Sequence, residues 1–488
     1  MTDTDLAGLS AVDAGALLAA GEISPVALAR DCLARIERHN PTINAFCHVD
    51  ADGALEAARA AEVRYRRGTP LGPLDGIPVT IKDLTPTRGM PTRKGSATTS
   101  AAGPWDTDAP FAARLREAGC VLLGKTTSPE FGWKGVTDNP LHGITRNPWN
   151  PRLTPGGSSG GAGAAAALNL GLLHQGSDAG GSIRIPCAFT GTFGFKPTFG
   201  WVPQWPASAM TTLSHLGPMT RTAEDAALMM TAIARPDPRD GYAGPPCPFD
   251  WRRSPPDDLR GWRIAYSRDL GYVEVAPDIA RVVDDAVAVL RDLGAEVTEI
   301  DPGFTDPQAT FNTLWFAGAA RLVSGLDDAQ RERLDPGLRA IAERGARISL
   351  SDYQGADEAR AALTAQLAEF HRHYDLLVTP TLPIAPFAVG SNVPEGGRYR
   401  QWMDWTPFSY PFNLTQQPAA SLPCGLDDGG LPVGLHLVAA RFDDMRVMDA
   451  ARLLERRLPR LVPPEFPDCV TWPTAELKKR TTTRHTGH

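Results

Sequence analysis

The chain has little of what staples or metallates a small protein. Its 488 residues include seven cysteines, Cys32, Cys47, Cys120, Cys187, Cys247, Cys424 and Cys469, which are scattered, odd in number and never spaced Cys-x-x-Cys. This argues against a disulfide framework or a zinc ribbon. A basic excess is also missing: Lys plus Arg number 49 against 56 Asp plus Glu, for a net charge of -7. Nucleic acid is therefore not an expected partner, since such surfaces usually need a basic face. No apolar run reaches the roughly 18 residues that cross a bilayer. The opening Met1-Thr2-Asp3-Thr4-Asp5 is acidic where a secretory leader is basic. The expectation is a reduced, soluble, cytoplasmic protein with no membrane partner.

What the chain does have is enough apolar content, 42%, to bury a large core. The first sixty residues read as a helical packing segment, with Gly21 ending one helix and Ser24-Pro25 opening the next as N-cap and first helical position. From residue 61 to 235, short apolar runs (79–81, 120–123, 172–175) alternate with helical stretches (109–118, 162–168), the pattern of an α/β layer fold. Residues 236–256 form a Pro-rich loop. The alternation resumes after it, so 257–475 is expected to continue the same domain, with a helical and aromatic insertion at about 309–405. Residues 476–488 read as a flexible tail.

Two motifs mislead. Gly119-Cys120-Val121-Leu122-Leu123-Gly124-Lys125-Thr126 matches the phosphate-loop pattern, but it follows a helix and is filled by what reads as a buried strand. Gly156-Gly157-Ser158-Ser159-Gly160 matches the nucleophile elbow. It is fed by the proline-rich run 147–155, which cannot be a central strand.

Three residues carry more weight in combination. Lys82 closes the apolar run Gly76-Ile77-Pro78-Val79-Thr80-Ile81-Lys82-Asp83, Ser158 lies in the glycine-rich run 156–161, and Ser182 follows Asp178-Ala179-Gly180-Gly181. Taken singly, Lys82 reads as a lysine at a strand end and Ser182 as a helix cap. Together they can activate a serine without histidine, because a lysine kept neutral by burial can accept a serine proton.

With these runs, the stretches 119–131, 146–149, 154–161, 176–186, 194–197 and 411 onward make the chain resemble the amidase signature family over most of its length. The resemblance implies a single large α/β/α domain with a central mixed, twisted sheet covered by helices. It implies a triad of Ser182 as nucleophile, Ser158 as proton relay and Lys82 as base, with a cis peptide bond joining Gly157 to Ser158. Backbone amides of Ala179, Gly180, Gly181 and Ser182 would form the oxyanion hole. Asp178 and Arg184 would clamp that loop, and Ser159 would either hydrogen-bond within the site or act as a spacer. No metal or organic cofactor is expected, and many relatives are homodimers. The implied activity is hydrolysis of a small-molecule acyl or aryl amide, oligoamide or carbamate, with an optimum above neutral pH because Lys82 must be unprotonated. Phe131, Trp133, Trp201, Trp315, Trp402 and Phe408 are candidate pocket residues, and their number hints at an apolar or aryl acyl group.

Three other readings remain at this point. A glutamine-hydrolysing component of a tRNA-dependent amidotransferase would carry an acidic residue shortly before Pro411-Phe412-Asn413-Leu414, where this chain has Thr406, with Asp404 two residues off. An α/β-hydrolase esterase would use His215 or His436. A catalytically silent scaffold would keep the fold alone.

Overall fold

The computed structural model describes residues 6–465. The tail expected at 476–488 and the residues just before it lie outside that range. In chain order the described strands are β1 (Phe46–Val49), β2 (Pro78–Lys82), β3 (Val121–Thr126), β4 (Asp138–Asn139), β5 (Gly143–Ile144), β6 (Leu173–Asp178) and β7 (Phe193–Lys196). They continue with β8 (His215–Thr220), β9 (Arg263–Tyr266), β10 (Glu296–Glu299), β11 (Leu376–Pro380), β12 (Ala419–Leu426) and β13 (Pro432–Val438). β4 and β5 pair with each other. The other eleven form one sheet in the order β1-β3-β2-β6-β8-β7-β12-β13-β11-β9-β10.

The sheet is mixed. β2 runs parallel to β3 and β6, and β9 runs parallel to β10 and β11. The neighbours from β6 through β8, β7, β12 and β13 to β11 are antiparallel. β2 and β3 are buried on both faces, which is why they read as continuous apolar runs. β10, with the sequence Glu-Val-Thr-Glu, is exposed and charged as a sheet edge should be.

Alternation along the strands divides two cores. Leu376 and Val378 enter one cluster with Val79, Phe195 and Leu437, while Leu377 between them enters the other with Phe189, Trp315 and Phe412. The helix Pro277–Asp292 lays Ile279, Val283, Val287 and Leu290 on the first face. On the second face lie the helices Gln308–Val323, Pro336–Gly345 and Leu350–Phe370.

In the N-terminal helices Ala11–Ala20 and Pro25–Ile43, Gly21 and Ser24 cap as expected, Gly21 being left-handed and Ser24 accepting a backbone N–H, and Ser10 adds an N-cap to the first helix. Two expectations change. The first sixty residues also supply an edge strand, β1. The span 309–405 is not one inserted block, because β11 falls inside it and sits between β13 and β9. The loop 236–256 has no helix or strand, yet Trp251 from it is buried against Phe195, and strands on both sides of it belong to the same sheet.

The false phosphate loop is explained by packing. Gly124 has φ +153, and a Cβ there would lie 2.1 Å from the His48 carbonyl oxygen of β1. Lys125 is buried, with Nζ donating to Thr85 O at 2.5 Å, Thr92 Oγ1 at 2.9 Å and Thr87 Oγ1 at 3.1 Å. Its role is to tie down the loop that follows β2.

Because β2 and β6 are parallel neighbours, Lys82 and Asp178 emerge at the same edge of the sheet. Open α/β sheets bind ligands at that edge.

Candidate active site

Lys82, the last residue of β2, is fully enclosed. Its Nζ lies 2.8 Å from Ser158 Oγ, 2.7 Å from Ser159 Oγ and 2.9 Å from Ser177 Oγ. Burial, opposed by the charge of Asp178, pushes its pKa well below the usual lysine value. A neutral amine offers two N–H donors and one lone pair. Ser159 Oγ donates its own proton to the Ser177 carbonyl at 3.2 Å, so toward the lysine it can only accept. With Ser177 taking the second N–H, the lone pair is left facing the Ser158 hydroxyl.

Ser158 sits just before the helix Gly160–Ala167, and the peptide bond entering it from Gly157 is cis. Ser182 follows β6 on the loop that leads into the helix Arg184–Thr190. The two serine loops are joined directly, since the Ser159 N–H donates to the Ser182 carbonyl at 3.2 Å. Ser158, Ser177 and Ser182 all line one cavity of about 520 Å³.

The loop 179–182 is held from beneath by a buried ion pair. Both Asp178 and Arg184 are fully buried, with Arg184 Nε 2.9 Å from Oδ2 and Nη2 2.9 Å from Oδ1. Asn413 Nδ2 adds a bond to Asp178 Oδ1 at 2.8 Å, and its own Oδ1 accepts from Arg184 Nη2 at 2.7 Å. Burial alone would raise the Asp178 pKa, but the Arg184 charge and hydrogen bonds outweigh it and hold the carboxyl below the carboxylate range.

The peptide unit joining Gly180 to Gly181 is clamped at both ends. Its carbonyl accepts from Ser409 Oγ at 2.6 Å, and its N–H donates to Asp178 Oδ1 at 2.8 Å. The Gly181 amide, included among the expected oxyanion donors, is therefore already committed to Asp178. The amides of Ala179, Gly180 and Ser182 have no hydrogen-bond acceptor among the described residues. Glycine is needed at both middle positions. A Cβ on Gly180 would meet Phe311 at 2.7 Å, and one on Gly181, at φ +125, would meet Ser409 Oγ at 2.5 Å.

Of the six aromatic candidates, Phe131 and Trp315 line the cavity. The structure places the other four elsewhere. Trp133 is buried against Gly337 of a neighbouring helix. Trp201 donates Nε1 to Asp444 Oδ2 at 2.9 Å and packs edge-on to Phe249 and Phe442. Trp402 stands edge-on to Phe311 and Trp315, one layer behind the wall. Phe408 is fully buried in the same cluster. All four are large apolar side chains that complete a core, which sequence cannot tell from a pocket wall. Among the residues missed were Ser177, Lys94, Arg321 and the segment 204–211 with Trp205 and Met210, which has no regular pattern. Trp205 and Lys94 were findable as residues beside glycine- and proline-rich turns.

The histidine alternatives do not reach the serines. His436 Nε2 lies 3.1 Å from Arg184 Nη1, and His215 Nδ1 lies 2.8 Å from the Leu213 carbonyl. Burial and the nearby cations push both pKa values well below the usual histidine value. Nor does the cavity hold an acid that could receive a substrate ammonium: no Asp or Glu is among its lining residues. Thr406 is buried with its hydroxyl on backbone carbonyls, and Asp404 accepts from the Arg400 and Gln401 amides and from Gln308. Cys47, Asp83 and His142 bring potential metal-ligand atoms within 4.8 Å of one another, and none of the three lines this cavity. Asp83 there already accepts the Arg93 and Gly95 amides.

A family model described as Amidase matches residues 27–448. An acylamidase of Rhodococcus erythropolis is 38% identical over 93% of this chain and 96% of its own length. A component of the glutamyl-tRNA(Gln) amidotransferase of Chloroflexus aurantiacus is 36% identical over 94% of this chain and 100% of its own. Among solved structures, a bacterial aryl acylamidase of the amidase signature family superposes with a TM-score of 0.86 at 30% identity, covering 93% of this chain and 97% of that one. With the lysine, the paired serines and the clamped glycine loop assembled at one sheet edge, these matches establish that the chain belongs to the amidase signature family.

Proposed function

We propose that this enzyme hydrolyses carboxylic amides through an acyl-enzyme on Ser182, with Ser158 relaying protons to and from Lys82. The observation that carries the reading is the setting of Lys82, a fully buried amine with three serine hydroxyls within 2.9 Å and a depressed pKa.

Ser182 Oγ attacks the amide carbonyl as its proton passes to Ser158 and the Ser158 proton passes to Lys82. Negative charge then grows on the carbonyl oxygen, where the free amides of Ala179, Gly180 and Ser182 can receive it. The ammonium so formed at Lys82 is held by Ser159 and Ser177. It returns its proton through Ser158 to the departing nitrogen, without which an amide does not leave. Water then repeats the sequence on the acyl ester. Asp178 and Arg184 take no part in proton transfer and act by fixing the oxyanion loop.

Acyl and aryl amides suit a cavity walled by Phe131, Trp205, Met210 and Trp315. The amidotransferase role is disfavoured, because nothing on this wall would hold the ammonium of glutamine. The test is amine release from aryl anilides, primary amides, glutamine and esters by the native protein, Ser182→Ala and Lys82→Ala. Anilide turnover that disappears in both variants is expected. Glutaminase activity above anilide turnover would revive the amidotransferase reading.

A further inference from the structure

The charge on the cavity wall is one-sided. Lys94 and Arg321 line it, and no carboxylate does. Lys94 follows the β2 loop and is fixed by its backbone, with its N–H on the Asp83 carbonyl at 3.0 Å and its carbonyl accepting the Phe131 N–H at 2.8 Å. Its ammonium has neither an ion-pair nor a side-chain hydrogen-bond partner among the described residues. Arg321 lies in the last turn of the helix Gln308–Val323, exposed, with Nη1 on Ser324 Oγ at 2.9 Å and no ion-pair partner among the described residues.

This is unusual for the protein. Other half-buried or buried cations near the site are answered: Arg184 by Asp178, Lys134 by Asp138 and Asp335, and Lys125 by three oxygens. A cation left unanswered in a partly desolvated wall gains most from an anion brought by the ligand.

We propose that the cavity selects amides that carry a carboxylate remote from the scissile bond, with Lys94 as the inner anion contact and Arg321 as the contact at the rim. This rests on the amide-hydrolase reading and narrows its substrate class. Burial lowers the Lys94 pKa against the pull of Asp83, so its charge is poorly solvated before substrate arrives. The aromatic and aliphatic side chains between the cations and Ser182 would cover the apolar part of such a substrate. An ammonium-bearing substrate would meet two like charges and no acid.

The test compares the 4-nitroanilide of glutaric acid with its methyl ester and with the 4-nitroanilide of 4-aminobutyric acid, so that one position is anionic, neutral or cationic. A second pair, 4-acetamidobenzoate and acetanilide, places the carboxylate on the amine side. One charge-assisted hydrogen bond corresponds to about tenfold or more in kcat/KM, and that preference for the anionic member is expected in at least one pair. Lys94→Met should bring the anionic-to-neutral ratio toward one, Lys94→Arg should restore it, and Arg321→Met should lower it by a smaller factor. Calorimetric binding of the same compounds to Ser182→Ala reads the preference without turnover. If no anilide is cleaved, the hydrolase reading fails while the binding ratio still decides this one. Equal or better handling of the neutral or cationic members, or a ratio unchanged by Lys94→Met, overturns the proposal.

Discussion

At the residue scale, the proposed chemistry turns on one amine kept uncharged. Lys82 has no carboxylate partner, and its three contacts are hydroxyls that suit a neutral amine, Ser159 and Ser177 accepting its two N–H groups and Ser158 facing its lone pair. Since the base must be unprotonated, activity is present above the depressed Lys82 pKa and is lost as pH falls through it. The acid limb of kcat/KM against pH should therefore lie well below the titration range of an ordinary lysine. A limb near that range would mean that the amine is solvated during turnover. Lys82→Ala should lower kcat by about 10² to 10⁴, the usual worth of a positioned base. Ser177→Ala removes one acceptor that orients the lone pair and should lower kcat about tenfold while KM moves little; steady-state kinetics on a neutral anilide would show it. The proposed triad could be picked out in the sequence because each member sits in a distinctive local run. Ser177 was not, because nothing in its neighbours marks a serine whose importance comes from alternation on β6, which turns its hydroxyl toward a lysine 95 positions away.

Among elements, the loop after β6 carries the functional geometry. Its Gly180–Gly181 peptide is fixed by Ser409 above and Asp178 below, so the neighbouring amides hold their direction without substrate. Gly181→Ala would place a methyl group 2.5 Å from Ser409 Oγ in a left-handed backbone that L side chains avoid. It should reduce kcat by at least 10²-fold, the cost of losing an oxyanion donor, with a smaller change in KM. Asp178→Asn leaves the Arg184 guanidinium buried without its counter-charge and should cost about 3 to 5 kcal/mol of stability. Denaturant unfolding would measure it, and a loss under about 1 kcal/mol would show that the pair is not structurally important. Of the strands flanking the site, β2 and β3 were readable as apolar runs because they are buried on both faces, and β6 only by the leucines at its start. β1, β7 and β12 were not. Their short or glycine- and proline-containing sequences pair through backbone bonds to distant partners, which local pattern does not record.

For the molecule as a whole, one sheet gathers residues from 46 to 438 and bridges the Pro-rich loop 236–256. The described residues should therefore unfold as a unit. Urea transitions followed by tryptophan fluorescence and by far-ultraviolet circular dichroism are expected to coincide, and two separated transitions would contradict a shared core. No helix among the described residues is long and apolar enough to cross a membrane. The layer architecture followed from the alternation of strands and helices, but the cavity wall did not. Its aromatics divide between wall and core according to which layer each helix occupies, and that depends on tertiary packing. The central claim is an acyl group carried on Ser182. It is tested most directly by quenching the enzyme during turnover of a slowly deacylated aryl ester and mapping the added mass by peptide mass spectrometry. The expected result is one acyl adduct on the peptide containing Ser182, absent from Ser182→Ala; an adduct on another residue, or amide turnover that persists in Ser182→Ala, would contradict it.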